Sequence, residues 1–197
     1  SIGATGTKLE ERQEGDRHVE RGRPDDVHDF AWTAWDKFVS HAETIGTVAV
    51  QVLYPSGYER VVARELEALR FAIPHFNARY GDYPYPVLTV VHPPEGAGEA
   101  GGMEYPTLIT TGGPWWTPRA ARSIEAVTIH EYGHQYFYGL LASNENAWPF
   151  LDEGLNTFAE HEAMGVWLGA GSLWDGFGLT IDANAIDATF SDQAALI

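Results

Sequence analysis

His130-Glu131-Tyr132-Gly133-His134 is the stretch on which the reading of this chain turns. Ile124 and Val127 precede it at helical spacing, so it reads as the continuation of the inward face of a helix. Residues four apart on a helix share a face, so the imidazoles of His130 and His134 can reach one ion, with Glu131 beside it. A catalytic metal site needs a third protein ligand and an open position. A histidine six residues on is excluded, because Phe137 and Leu140 stand where a glycine and that histidine are required. Leu151-Asp152-Glu153-Gly154-Leu155 offers the ligand instead: eighteen residues separate His134 from Glu153. The chain has no cysteine, so any metal must be held by His and carboxylates.

This donor set predicts one zinc ion per chain, on His130, His134 and Glu153. Glu131 is the expected base, taking a proton from zinc-bound water whose pKa the metal lowers to about 7. Ligand imidazoles need partners that orient them. Thr157 and Glu160 lie four and seven residues after Glu153, on the same helix face, and Glu160 is the better placed to hold an imidazole. His161-Glu162 lacks a second histidine and reads as helix surface.

Outward from the motif, the metal helix should begin at Thr117-Pro118, an N-cap followed by proline at the first helical position, and run to about Leu141. After a polar connection over 142–147, the second helix runs from about Pro149 to Gly165. Upstream, Gly46–Tyr54 alternates and is β-branched, Pro86–His92 reads as a second strand, and Tyr105–Thr111 as a third. Pro106 places that third strand at an edge. Between the first two, Tyr58 to about Arg79 has helical periodicity, with Pro74 expected to kink or split it. Residues 1–29 are charged and Gly-rich, a loop or an edge hairpin. Glu95–Gly102 is a Gly-rich loop, and Ser172–Ile197 is mixed, with an apolar tail. Strands first and helices after predict an α+β fold: a small, mostly antiparallel sheet followed by zinc-bearing helices.

The 197 residues, 44% hydrophobic and 20% charged, are ordinary for a globular protein. Aromatics at 13%, with seven Trp, point to a large core or an aromatic-lined cleft. The net charge of −16 argues against nucleic acid as a partner, which needs Lys and Arg patches. No stretch is long and apolar enough to span a membrane, and no signal peptide opens the chain.

The motifs taken together resemble the M1 family of zinc aminopeptidases, which are gluzincins. HEYGH, the eighteen-residue interval and LDEGLNTFAE match a family pattern whose second motif reads close to NEGFATYFE. Gly101-Gly102-Met103-Glu104-Tyr105 resembles the family's upstream GAMEN signature, and DDVHDFAWTAW resembles its passage from an N-terminal β-domain into the catalytic domain. The resemblance covers about residues 1–170. It implies a thermolysin-like catalytic domain over 36–197, truncated at its C-terminus, with 1–35 the end of a β-domain and linker. It implies a peptide substrate with a free N-terminus, whose amine Glu104 binds, with Gly101, Gly102 and Met103 contacting the peptide backbone. An endopeptidase with the same zinc core, and a zinc-bound but catalytically silent module, are the alternatives. Tyr105 stands where the family has Asn. The family's oxyanion-stabilising tyrosine lies well beyond the third ligand, whereas the last tyrosine here is Tyr138. That residue is therefore expected beyond Ile197, together with the rest of the parent protein's catalytic and C-terminal domains. The chain alone is expected to be weakly active or inactive.

Overall fold

The computed structural model describes residues 1–183; the reading made on the apolar tail lies outside the described residues. The fold is α+β. Its centre is a four-stranded sheet of β5 (Phe38–Ile45), β6 (Val48–Pro55), β7 (Val87–Val91) and β8 (Leu108–Thr110), in that spatial order. Before it in the chain come β1 (Ile2–Ala4), β2 (Thr7–Glu14), β3 (Arg17–Arg23) and β4 (Trp32–Ala34). Among the described residues three α-helices, α1 (Glu59–Tyr80), α2 (Ser123–His134) and α3 (Leu155–Leu168), follow or interleave, and a short pair, β9 (Trp174–Gly176) and β10 (Leu179–Ile181), comes last of the named elements. No helix among the described residues is long and apolar enough to cross a membrane.

The expectation of a mostly antiparallel sheet is corrected for this central sheet. Only β5 and β6 pair antiparallel, through the two-residue connection Gly46-Thr47 with Gly46 at a φ of 61°. β6, β7 and β8 run parallel. Parallel neighbours need a long crossover, and the chain supplies two: α1 between β6 and β7, and the stretch 92–107 between β7 and β8. The third strand is also shorter than expected, because Tyr105–Thr107 forms a turn in which Thr107 takes a φ of 60°. β8 does end the sheet, and its outer edge is occupied by Gly102 and Met103, whose backbone exchanges hydrogen bonds with Thr110.

Strand alternation sets the core. Val48, Val50 and Val52 of β6 turn to one face, where they join Leu88, Val90 and Ile109 beneath Val62, Leu69, Ile73 and Phe76 of α1. Ile124, Ile129 and Tyr132 of α2 and Ala159, Ala163 and Met164 of α3 complete this cluster. The other face carries a smaller one, Phe38, Leu53, Val91 and Leu108, over which β1 and β4 lie as an antiparallel pair. Gly3 permits that approach: a Cβ there would stand 2.8 Å from Leu53 Cδ1. β2 and β3 form the expected hairpin, exposed and charged, with one bulge between Lys8 and Glu10.

Pro74 neither splits α1 nor ends it; the helix is continuous for 22 residues. The ring sits on the exposed side, and the carbonyl it deprives of a partner belongs to exposed Arg70, where water can replace the lost bond. On the inner side Phe76 is fully buried, in ring contact with Tyr80, Tyr132 and Tyr136. Phe76→Ala is expected to cost about 3–5 kcal/mol of stability, read as a lowered midpoint in chemical denaturation.

α2 starts at Ser123, not at Thr117-Pro118. The reason is Arg64 of α1, which is buried. It forms a bidentate pair with Glu125 at 2.8 and 2.6 Å and also donates to the carbonyls of Thr117 and Ala121. Residues 117–122 are held in turns around that guanidinium, and Arg122 N is bonded to Leu173 O instead of opening a helix earlier. A buried, multiply hydrogen-bonded ion pair fixes where α2 begins, and so where its far end falls.

Candidate metal centre

α2 ends on the motif, with His130 and His134 one turn apart. Gln135–Leu140 continues as π-helical turns, as does Phe150–Gly154 immediately before α3. α2 and α3 pack tightly at Gly133, where a Cβ would collide with Asn156 Oδ1. The same Asn156 donates through Nδ2 to the His130 carbonyl at 2.9 Å. This contact brings the segment carrying Glu153 against the histidines.

The ligand atoms of His130, His134 and Glu153 lie within 4.8 Å of one another. The two Nε2 atoms are 3.2 Å apart, and Glu153 Oε2 is 3.3 Å from the first and 3.7 Å from the second. Glu160 Oε2 is 3.0 Å from His130 Nδ1, the place expected of it. Thr157 is half-buried on α3 and makes no hydrogen bond to either imidazole among the described residues. His161 and Glu162 are half-buried; Glu162 pairs with Arg79 and accepts from the Tyr80 hydroxyl.

Glu131 is 4% exposed, and its Oε2 has no hydrogen-bond partner. Burial raises its pKa to about 8; neighbouring His130 opposes this, while Glu104, Glu153 and Glu160 add to it. Burial works against a proton on His130, but Glu160, with Glu131 and Glu153, outweighs it and holds the ring up at about 9. His134 is pushed down, by burial first and by charged His130 second. A divalent cation suits this donor set: soft-to-borderline imidazole nitrogens, one carboxylate oxygen, and an orphaned buried carboxyl beside them.

The Gly101–Glu104 segment reaches the same place. Gly102 has a φ of 71°, and a Cβ on it would point to Glu131 Oε1 at 3.7 Å. At Gly101 a Cβ would run into the Thr111 carbonyl, so the glycine is needed for the edge pairing itself. Met103 bridges Thr110 and is partly exposed. Glu104 is half-buried; burial first, then Asp152, Glu145 and Glu153, raise its pKa to about 7. Among the described residues it has no cationic partner.

Two site residues escaped the sequence reading. Gln135 is 1% exposed; its Oε1 accepts from Thr107 N at 2.8 Å, and its Nε2 donates to the carbonyls of Glu104 and Tyr105. It ties the Glu104 segment to the end of α2, and its position directly after His134 was the available signal. Asp152 lies with Oδ1 2.7 Å from His134 Nδ1. Of the tyrosines near the motif, Tyr132 and Tyr136 point into the core, the latter donating to Asn77. Tyr138 is half-buried and stacks edge-on with His28. A cavity of about 620 Å³ lies on the opposite face of the sheet, among Ile2, Phe30, Trp32 and Thr89, away from these groups.

No protein-family model matches the sequence, and no curated protein matches it.

Proposed function

We propose that this chain is the metal-binding core of a zinc peptidase of gluzincin type, thermolysin-like in arrangement, that removes N-terminal amino acids from peptides as the M1 aminopeptidases do. The observation that carries the reading is the convergence of three ligand atoms from two neighbouring helices within 4.8 Å, with buried Glu131 alongside. His130, His134 and Glu153 would hold the zinc. When bound, the ion supplies Lewis acidity for a peptide carbonyl and makes water a better nucleophile at neutral pH.

The chain's own groups have distinct parts. Glu131 accepts the proton of the attacking water and returns it to the leaving amine. Glu160 fixes the His130 ring through Nδ1. Glu104, lacking a cation, receives the substrate's ammonium and so sets the first peptide bond against the metal. Gly102 leaves the floor beside Glu131 open to a peptide backbone. Gly102 and Met103, which occupy the outer edge of β8, form the extended segment beside which a peptide substrate would lie.

The direct experiment is metal analysis of the dialysed protein. One zinc per chain is expected, and His134→Ala should lose it. Full occupancy at unchanged affinity in that variant would show that the ligands are elsewhere.

A further inference from the structure

We propose that Asp152 is a positioning residue of the metal centre: its carboxylate holds His134 Nδ1 as an N–H donor and thereby reserves Nε2 for the metal. This rests on the metal-binding reading above and extends it to a residue that reading does not use. A neutral imidazole has one N–H and one lone pair, so whichever nitrogen donates leaves the other to ligate. At His134 the two nitrogens face opposite partners. Nε2 looks to His130 Nε2 and Glu153 Oε2, at 3.2 and 3.7 Å. Nδ1 looks to Asp152 Oδ1, at 2.7 Å. The contact is close but bent, and neither atom makes another hydrogen bond among the described residues.

Burial singles Asp152 out from its neighbour. Its residue is 4% exposed, whereas the Glu153 side chain is 58% exposed. A carboxylate taken out of water is costly unless it accepts hydrogen bonds or meets a cation. No Lys or Arg pairs with Asp152 among the described residues, and the imidazole is the donor within reach. His130 also faces a carboxylate through Nδ1, Glu160 Oε2 at 3.0 Å, there as a formed hydrogen bond. Both backing carboxylates and the third ligand thus come from one continuous segment, 152–160, which docks on α2 through Asn156. The segment delivers a ligand and the orientation of the other two together.

Glu104, His134 and Asp152 also lie within 4.8 Å of one another, a grouping that could seat a second cation. That use would need the His134 ring to ligate through both nitrogens, which a neutral imidazole cannot do. Positioning is therefore the role the chemistry favours.

The test uses the 197-residue chain with isotope-labelled histidine, read by NMR for the protonated nitrogen of each ring, with and without zinc. Zinc affinity is measured in parallel by chelator competition. In the unsubstituted chain His134 should carry its proton on Nδ1 in both states. Asp152→Ala should lose that uniform tautomer and weaken zinc roughly ten- to hundredfold. Asp152→Asn, which keeps an acceptor oxygen, should restore affinity to within a few-fold, which a purely structural defect would not do. Unchanged tautomer and affinity in Asp152→Ala would overturn the proposal. So would a second zinc equivalent that Asp152→Ala abolishes while the first site is untouched. If Asp152→Ala fails to fold, the unsubstituted chain decides alone: a proton on Nε2 of His134 overturns the assignment. A chain that binds no zinc would defeat the metal reading, while the metal-free tautomer still judges Asp152.

Discussion

Glu131→Gln is expected to retain its zinc and to lose about 10²–10⁴-fold in turnover, the range that a positioned base supplies. Glutamine matches glutamate in size, so the buried site need not rearrange, yet it cannot carry a proton between water and leaving group. Glu131 suits that task because burial, against the opposing pull of His130, raises its pKa to about 8 before any cation is near. A divalent ion on the adjacent imidazoles lowers that value toward the ordinary carboxylate range, so the group ionises when the site is filled and can still take a proton near neutral pH. Initial rates on a leucyl or alanyl fluorogenic substrate, with metal content measured on the same samples, check this. Loss of zinc in the variant would make Glu131 a ligand, and full turnover with zinc present would remove it from proton transfer.

Acetylating the substrate's N-terminus is expected to abolish cleavage. Glu104 is half-buried, its pKa raised to about 7 by burial first and then by Asp152, Glu145 and Glu153. An ammonium placed there relieves both the desolvation and the mutual repulsion of the carboxylates; a blocked amine brings no charge and leaves both costs in place. Product analysis on paired free and acetylated peptides gives the answer. Cleavage of the blocked peptide at an internal bond would assign the chain to the endopeptidase alternative.

The convergence of His130 and His134 was legible in the sequence because helical spacing alone puts them on one face, and the place of Glu160 was legible by the same rule applied from Glu153. Asp152 was not. On a regular α-helix, consecutive side chains point well apart, so a residue adjacent to a ligand reads as facing elsewhere. The chain over Phe150–Gly154 is π-helical, and the wider winding lets Asp152 and Glu153 both approach His134. The start of α2 was misread for a different reason: Thr117-Pro118 has good capping chemistry, but a tertiary partner, Arg64, claims the carbonyls that a helix would have used. The parallel strands were present in the sequence as crossover lengths: a helix between the first two strands and a long loop before the third are connections that parallel neighbours need.

The π turn before α3 has a consequence for how this chain can vary in length. Residues 141–149 are an exposed connection, and gaining or losing a residue there changes only slack. Within Phe150–Gly154 the same event changes phase. One residue removed rewinds the turn and rotates what precedes it by about 100° relative to α3. Asp152 would swing away while Glu160, anchored further along, stayed in place. Neighbouring stretches of this surface thus obey opposite rules for insertion and deletion, and the boundary between them falls at Pro149.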